Sequence, residues 1–354
     1  MGGAKKIVLE PGICYCPPQD DQNYPVKAAC ANVFVSVRMS PTQYPNLYVM
    51  DGAKHFHALT NLEPQKAYNW YTSELYHWKL DDGRINEGVL YKPENFDVHK
   101  KYPIIFYYYE QLSNQKNSFY QPSLTGNDIN IPWFVSNGYL VFTPDIHYTI
   151  GHPGPSAYNS VVSAAKYLSQ FPWVDGHHMG IQGHSFGGFE TNYIVTHTDL
   201  FAAANAGASV CNLTDLYTKI GGQDYFEHSQ GRMGATLWEK PEWYIENSPV
   251  FRADKMNTPL LLMHNEGDGS VPYTQAQEWV GALIREGKKV WLLSYDGEEH
   301  SIWKEDTRLD FTIRLCQFFD HFLKGAPMPR WMNEKVERYV NDGFELTNDA
   351  DKSK

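Results

Sequence analysis

A serine flanked by glycines is the feature of this sequence that most directly predicts chemistry. Ser185 lies in the run GHSFGG at residues 183–188, which matches the Gly-x-Ser-x-Gly pattern of a nucleophile at a sharp strand-to-helix turn. Small residues are needed two positions either side because strand and helix approach too closely there for side chains. Residues 179–182 suit the strand and residues 189–197 suit the helix. We therefore predict that Ser185 is a catalytic nucleophile, in preference to an incidental glycine-rich turn.

A serine hydroxyl needs a base that removes its proton and an acid that orients this base. In folds that use this turn, the acid and then the histidine follow the serine along the chain. Asp268 and His300 each follow an apolar run that is typical of a buried strand. Glu266 and Asp296 are rivals for the acid, and a plain Asp-Gly turn is the alternative interpretation of Asp268. If the runs are parallel strands, both partners reach the same sheet edge as Ser185.

The other histidines are weaker candidates for the base. His264 ends an apolar run, and we expect it to pack or hydrogen-bond against the loop that follows. His177 and His178 precede a predicted strand and belong to its opposite edge. His55 and His57 alternate as metal ligands sometimes do, but no third ligand is in range, so an exposed strand face is favoured.

Attack on a carbonyl creates an oxyanion that needs hydrogen-bond donors already in place. The backbone N–H of Phe186, at the start of the predicted helix, supplies one donor by the geometry of the turn. The second donor is expected from the segment after the first parallel strand, near Tyr109 and Glu110.

The elements that position these residues alternate between strands and helices. Short apolar runs predict buried parallel strands at residues 104–109, 139–143, 179–182, 201–206, 259–264 and 290–294. Helices are predicted between them at residues 157–170, 187–197, 274–286 and 307–323. In the last helix an apolar stripe marks one face, and Gly325 ends the helix; the stripe consists of Leu309, Ile313, Cys316, Phe319 and Leu323. This pattern predicts the α/β class, with an α/β-hydrolase fold on a doubly wound, mostly parallel sheet.

The sequence before this series is β-rich. Two alternating runs, residues 33–37 and 46–50, are separated by Pro41 and Pro45, which break the pattern. A second pair of alternating runs surrounds an Asp-Gly turn and predicts a hairpin within residues 74–91. A small β unit therefore precedes the parallel sheet.

Composition excludes several classes of protein. The 354 residues are 42% hydrophobic, which is enough for a large buried core. The formal net charge of -11 and the absence of a Lys/Arg cluster argue against a nucleic-acid partner. No apolar run approaches the roughly 18 residues that span a bilayer, and the N-terminus lacks a signal peptide. We expect a soluble protein without a membrane partner, cytoplasmic, or periplasmic if the chain is a fragment of an exported parent.

The five cysteines predict neither a disulfide framework nor a metal site. Cys211 and Cys316 lie in apolar stretches that are typical of a core. Cys14, Cys16 and Cys30 lack the histidine pattern of a zinc site. Because hydrolysis by a serine nucleophile needs no cofactor, we expect none.

Taken together, these segments resemble the catalytic domain of the prolyl oligopeptidase family, which includes dipeptidyl peptidase IV-like and acylaminoacyl-peptidase-like enzymes. The resemblance covers residues 101–331. It rests on Lys-Tyr-Pro before the first strand, on GHSFGG, on the Asp268 loop that ends in Val-Pro, and on residues 297–300. It implies a triad of Ser185, Asp268 and His300, in agreement with the assignment from strand edges.

The resemblance also implies how a substrate is held. In dipeptidyl peptidase-like members a tyrosine hydroxyl after the first strand completes the oxyanion hole, and by position this is Tyr109. Tyr107 is the rival, and a core role is the alternative for both. The family's Gly-Gly-Pro-like turn is replaced here by Glu-Gln-Leu. The pocket for the residue before the scissile bond falls on Val210, Leu213 and Tyr217, which suit a core equally well.

Family members carry a β-propeller ahead of the hydrolase domain, and too few residues precede it here for a complete one. We expect residues 1–70 to be a β-rich segment, the remnant of a last blade. Residues 71–332 are expected to form the catalytic domain, and residues 333–354 a charged C-terminal tail.

The sequence thus predicts a serine-type peptidase that hydrolyses peptide bonds of short peptides through an acyl-enzyme intermediate. A carboxylesterase on the same fold is the alternative, because the triad does not distinguish esters from amides. A non-catalytic α/β-hydrolase-like binding module is the alternative of another class. Residue preference, endopeptidase or exopeptidase action, and oligomeric state do not follow from the sequence.

Overall fold

Two β-sheets organise the chain, and the computed structural model describes residues 12–15, 26–51, 55–80, 82–219 and 221–334. The first sheet is antiparallel and contains β1 (Cys14–Tyr15), β2 (Val26–Lys27), β3 (Val33–Ser40), β4 (Gln43–Asp51) and β5 (His55–Ala58). Pro45 lies inside β4, so the prediction that it breaks the run is wrong. The strand accommodates it because the pairing with β3 is irregular at this point, between Arg38 and Ser40.

The second sheet has eight strands in the order β13-β12-β11-β10-β8-β9-β7-β6. They are β6 (Tyr71–Lys79), β7 (Ile85–Pro93), β8 (Tyr102–Tyr107), β9 (Leu140–Pro144), β10 (Val174–His184), β11 (Ala203–Gly207), β12 (Leu260–Met263) and β13 (Val290–Leu293). Strands β8 to β13 pair in parallel, while β7 pairs antiparallel with β6 and β9. The predicted mostly parallel α/β sheet and the hairpin at its start are confirmed.

Strand β10 is longer than its apolar run predicted. It begins at Val174, so His177 and His178 lie within the strand and do not precede it. The register with β8 shifts between Val174 and Met179, and this irregular first half is polar. An apolar pattern therefore detects only the buried second half of the strand.

The helices are α1 (Ile131–Ser136), α2 (Pro153–Leu168), α3 (Phe186–Val195), α4 (Leu213–Tyr217), α5 (Gly222–His228), α6 (Pro241–Glu246), α7 (Thr274–Arg285) and α8 (Glu305–Lys324). The four predicted helices correspond to α2, α3, α7 and α8. Helices α2 and α7 contribute to one buried apolar cluster, and α1 and α8 contribute to a second. Because neighbouring residues of β8 point to opposite faces, Ile104 joins the first cluster and Ile105 the second.

Helix α8 ends where it was predicted to end, but the face that it buries differs from the predicted one. Gly325 caps the helix in the left-handed region, with φ of 67°. Phe311, Leu315 and Phe318 are buried against the sheet, whereas Leu309 and Ile313 of the predicted stripe are only half-buried. The helix is apolar around much of its circumference, so periodicity alone did not select the correct face.

The described strands of the first sheet end at Ala58, and the eight-stranded sheet begins at Tyr71. The three-part division of the chain stays a prediction, and residues 335–354 lie outside the described part, as does Cys16. Among the described residues, no helix is long and apolar enough to span a bilayer.

Candidate active site

The turn between β10 and α3 holds Ser185 in a backbone conformation that residues with a side chain rarely adopt. Its φ is 58° and its ψ is -117°. The Ser185 N–H donates to the carbonyl of Gly207 on β11 at 2.8 Å, and the Ser185 carbonyl accepts from the N–H of Phe189 at 3.0 Å. These bonds fix the residue between the end of a strand and the first turn of a helix.

The glycines around Ser185 are required by close backbone contacts. A Cβ on Gly183 would lie 2.2 Å from the carbonyl oxygen of Gly187, and one on Gly188 would lie 2.5 Å from that of Gly207. Backbone oxygens in a strand and a helix cannot move aside for a side chain. The structure therefore confirms that the approach of strand and helix excludes larger residues here.

A carboxylate and two imidazoles meet on the loops after β12 and β13. His300 Nδ1 lies 2.8 Å from Asp268 Oδ2 and 3.0 Å from Oδ1. His264 Nε2 lies 3.2 Å from Asp268 Oδ2 and 3.0 Å from the Val271 carbonyl. The N–H groups of Ser270 and Val271 each donate to Asp268 Oδ1 at 2.8 Å. As predicted, His264 braces the Asp268 loop.

The hydrogen bonds to Asp268 determine its ionisation. Its side chain has no exposed surface, and burial alone would raise the pKa of the carboxyl. Hydrogen bonds from His264, His300 and the Val271 N–H outweigh this effect and hold the pKa well below its usual range. An ionised Asp268 keeps a proton on His300 Nδ1, which leaves Nε2 of that ring as an acceptor.

A pocket of about 600 Å³ brings Ser185 and His300 together with Tyr107 and Tyr109. The Ser185 hydroxyl and the His300 ring, both in the described part of the chain, share this pocket but form no hydrogen bond with each other. In enzymes without substrate this contact is commonly long and tightens in the Michaelis complex. The arrangement brings a serine, a histidine and a histidine-bound carboxylate to one sheet edge.

The two tyrosines differ in what their hydroxyls contact. Tyr107 donates its O–H to Asp128 Oδ1 at 2.5 Å. Burial, followed by the charge of Asp128, raises the pKa of Tyr107. The hydroxyl of Tyr109 accepts a hydrogen bond from Gln230 Nε2 at 2.9 Å, which leaves its own proton available for another acceptor.

His184 is a pocket residue that sequence reasoning missed. It is 7% exposed, and neither ring nitrogen has a hydrogen-bond partner within the described residues. The ring centroids of His184 and His300 are 4.9 Å apart. Burial, followed by the neighbouring His300, lowers the pKa of His184 to about 3. The position before the serine is unspecified in the motif, so the pattern carried no signal for a second, neutral imidazole beside His300.

A buried polar network behind the turn was also missed. The Tyr148 hydroxyl donates to the Tyr109 carbonyl at 2.9 Å and is also bonded to the carboxyl of Glu190. Burial raises the pKa of Glu190 well above its usual range. The Arg232 guanidinium lies 4.1 Å from the centre of the Tyr148 ring and 2.9 Å from Glu110 Oε1. An acidic residue inside the apolar run after GHSFGG was the available signal.

Comparison with protein-family models decides which family this site belongs to. The model of the prolyl oligopeptidase family matches residues 127–326, which is more than half of the chain. The chain belongs to the prolyl oligopeptidase family. The predicted family and its α/β-hydrolase fold are thereby confirmed.

Relatives of known name agree with this assignment. The chain is 26% identical over 260 residues to dipeptidyl-peptidase 5 of Porphyromonas gingivalis, a match that covers 69% of this chain and 37% of that protein. The fold is similar to acylaminoacyl peptidase of Pyrococcus horikoshii, with a TM-score of 0.69, 20% identity, and coverage of 84% of this chain and 49% of that one. Dipeptidyl peptidase 4 of Porphyromonas gingivalis has a TM-score of 0.69, 22% identity, and coverage of 82% and 42%. This prolyl oligopeptidase family chain thus spans less than half the length of each.

The three residues that the family resemblance implied for substrate binding do not line the pocket that contains Ser185. Val210, Leu213 and Tyr217 are buried in one apolar cluster with Phe186, and none of the three lines the 600 Å³ pocket. The Tyr217 hydroxyl donates to Glu227 Oε1 at 2.6 Å. Their part in substrate binding stays a prediction.

The alternating histidines of the first sheet are predicted to form an exposed strand face in preference to a metal site. His55 and His57 are exposed on β5, as expected. Within the described ranges, no group of three or more His, Cys, Asp or Glu side chains is arranged to hold a metal ion.

The lowered pKa of Asp268 predicts how stability depends on pH. Because the folded-state pKa lies below the unfolded value of about 4, ionised Asp268 stabilises the fold above about pH 4, and this contribution is lost as the pH falls further. Asp268→Asn should therefore lower the free energy of unfolding by about 1–3 kcal/mol near pH 7, with a difference that shrinks between about pH 5 and pH 3. Urea unfolding across this range measures it.

Asp51→Asn is the control, since Asp51 is exposed on β4 and its substitution should change stability little at any of these pH values. A difference between wild type and Asp268→Asn that grows toward pH 3 would contradict the assignment.

Proposed function

We propose that this chain is a serine peptidase that cleaves peptide bonds of short peptides through an acyl-enzyme intermediate. The observation that carries the proposal is the convergence of the Ser185 turn and the Asp268–His300 pair on one pocket. Membership of the prolyl oligopeptidase family favours peptides as the substrate class. Because the relatives are much longer, their own specificities are not transferred to this chain.

The residues act in a defined order. Ser185 Oγ attacks the carbonyl carbon of the scissile bond while its proton passes to His300 Nε2, and Asp268 holds the His300 ring through Nδ1. The tetrahedral intermediate collapses as His300 gives this proton to the leaving amine, which leaves the acyl group on Ser185. A water molecule then attacks the acyl-enzyme, with His300 again taking and returning a proton, and the carboxylic acid departs.

Two donors stabilise the oxyanion in this proposal. The Phe186 N–H is the first of helix α3 and has no acceptor within the helix. The Tyr109 hydroxyl is the second donor, because Gln230 donates to its oxygen and leaves its proton free. Tyr107 is less suited, since its proton is already directed to Asp128. The contacts therefore favour Tyr109 over its rival.

The segment after Tyr109 departs from the family's glycine-rich turn, and other contacts support it instead. Glu110 accepts from Arg232 Nη2 at 2.9 Å and from Gln230 Nε2 at 3.0 Å. The Tyr109 carbonyl is held by Tyr148 at 2.9 Å. Contacts to the Tyr109 carbonyl and to the Glu110 side chain thus support the position of the Tyr109 hydroxyl without a glycine-rich loop.

Labelling with a fluorophosphonate probe tests the nucleophile. We expect wild type to take up the probe covalently and Ser185→Ala to take up none, because the activated hydroxyl is the reacting group. Ser301→Ala is the matched control, since Ser301 lines the same pocket on the His300 loop, and it should retain labelling. Wild-type protein that stays unlabelled would favour the non-catalytic binding module.

Substrate comparison separates the peptidase from the carboxylesterase. We expect wild type to turn over alanine or proline p-nitroanilides as well as p-nitrophenyl esters. His300→Ala should lower kcat for both by about 10³-fold or more, since loss of the base disables the serine. Turnover of esters alone, with no release from any anilide, would overturn the peptidase assignment in favour of the esterase.

The two tyrosines can be separated by removing single hydroxyls. Tyr109→Phe should lower kcat by about 10²-fold with a smaller change in KM, because a donor to the oxyanion acts in the transition state. Tyr107→Phe should lower kcat less, since its hydroxyl is bonded to Asp128. Steady-state kinetics on one anilide give both values, and the reverse order would assign the oxyanion donor to Tyr107.

A further inference from the structure

The connection between β8 and α1 forms the pocket wall that faces the catalytic residues. This wall contains Leu112, Gln115, Phe119, Tyr120, Gln121, Ser123 and residues 127–132. It is attached directly to the His300 loop, since the Ile302 N–H donates to the Gly126 carbonyl at 3.2 Å. A Cβ on Gly126 would lie 2.6 Å from the Ile302 carbonyl oxygen, so the two backbones are in close contact. The residues after Gly126 are therefore held beside His300.

The described lining of the pocket carries the negative charge of one Asp and no Lys or Arg. Among the described residues that line it, Asp128 is the only Asp, Glu, Lys or Arg. The structure gives Asp128 no ion pair with a Lys or Arg in the described part of the chain. Its carboxylate is exposed toward solvent. A basic group that enters the pocket would thus meet an acid with no competing protein cation.

The Asp128 carboxylate is held in place although it is exposed. The Tyr107 hydroxyl donates to Oδ1 at 2.5 Å, and Tyr107 is itself buried at the end of β8. The Asp128 N–H donates to Asn127 Oδ1 at 2.9 Å. With Oδ1 taken by the tyrosine, Oδ2 is left to accept from a ligand.

Aromatic side chains share the pocket with this carboxylate. The pocket is lined by the rings of Tyr107, Tyr109, Phe119 and Tyr120. The Tyr120 hydroxyl donates to Gln115 Oε1 at 2.5 Å, which fixes the ring in the wall. Aromatic faces attract ammonium and guanidinium groups through their quadrupoles. A carboxylate that shares a pocket with such rings, where the described lining has no Lys or Arg, is the chemistry that recognises an organic cation.

We propose that Asp128 and the tyrosine rings of the same pocket bind a cationic group of the substrate, an ammonium or guanidinium, and so select positively charged peptides. The assignment rests on the proposed peptidase function, because the same pocket presents Ser185 and His300 to the scissile bond. Both an α-amino group and a basic side chain carry this chemistry. The net charge of -11 also attracts cationic substrates at long range.

Kinetics on charge-matched substrate pairs test the selection. One pair is alanyl-alanine p-nitroanilide with a free and with an acetylated amino group, and the second is acetyl-lysyl-alanine and acetyl-norleucyl-alanine p-nitroanilide. Wild type should favour the charged member of at least one pair by about tenfold in kcat/KM. Asp128→Asn keeps the shape and the Tyr107 contact but removes the charge, so this ratio should fall to near one.

Glu286→Gln is the matched control, since it removes the same charge from an exposed position at the end of α7 outside the pocket. It should keep the wild-type ratio. The pair that shows the preference identifies an α-amino group or a side chain as the source of the cation. A ratio near one in wild type for both pairs, or a preference that survives in Asp128→Asn, would overturn the proposal.

A binding experiment separates failure of this inference from failure of the proposed function. Ser185→Ala is titrated by calorimetry with alanyl-alanine amide, with its acetylated form, and with the acetyl-lysyl and acetyl-norleucyl amides. Tighter binding of a charged member supports the cation site even if the wild type takes up no fluorophosphonate. Equal binding within both pairs by a protein that does react with the probe overturns the cation site and leaves the peptidase intact.

Discussion

The backbone turn at Ser185 is the constraint on which the rest of the site depends. A positive φ at a residue with a side chain costs about 1–3 kcal/mol, and this conformation persists because the surrounding backbone leaves no alternative. The bond from the Ser185 N–H to Gly207 ties the turn to β11, and Gly187 lies against the Tyr108 carbonyl at the end of β8. Three neighbouring strands thus position one hydroxyl, and their parallel order places the later loops at the same edge.

The two loops that carry Asp268 and His300 are fastened to each other. Asn265 donates from Nδ2 to the Glu299 carbonyl at 2.7 Å and accepts from the Tyr295 N–H at 3.0 Å. A Cβ on Gly267 would lie 2.6 Å from the Glu298 carbonyl oxygen. The Asp268–His300 contact is therefore supported by contacts between the two loops on both sides of it and does not depend on the two side chains alone, which suits the proton transfer proposed for this pair.

Short-range sequence patterns were sufficient to predict those features of this protein that depend on local sequence or on the order of elements along the chain. The strand and helix alternation, the glycines around Ser185, and the Asp268–His300 contact follow from apolar runs and from the order of the triad. What the sequence could not decide, or predicted wrongly, depends on long-range contacts. Whether Tyr107 or Tyr109 has a free proton is decided by Asp128 and Gln230, which lie 21 and 121 residues away. The pairing irregularity around Pro45 likewise leaves no local signal.

The placement of charges around the pocket bears on the oxyanion site proposed above. Glu110 is paired with Arg232 at 2.9 Å, and burial raises the pKa of the Glu190 carboxyl well above its usual range. The Tyr148 hydroxyl contacts both the Tyr109 carbonyl, at 2.9 Å, and the carboxyl of Glu190. The Asp268 carboxylate is in contact with two imidazoles and two backbone N–H groups. Asp128 is the one Asp or Glu among the described residues that line the pocket, and the structure gives it no ion pair with a described Lys or Arg.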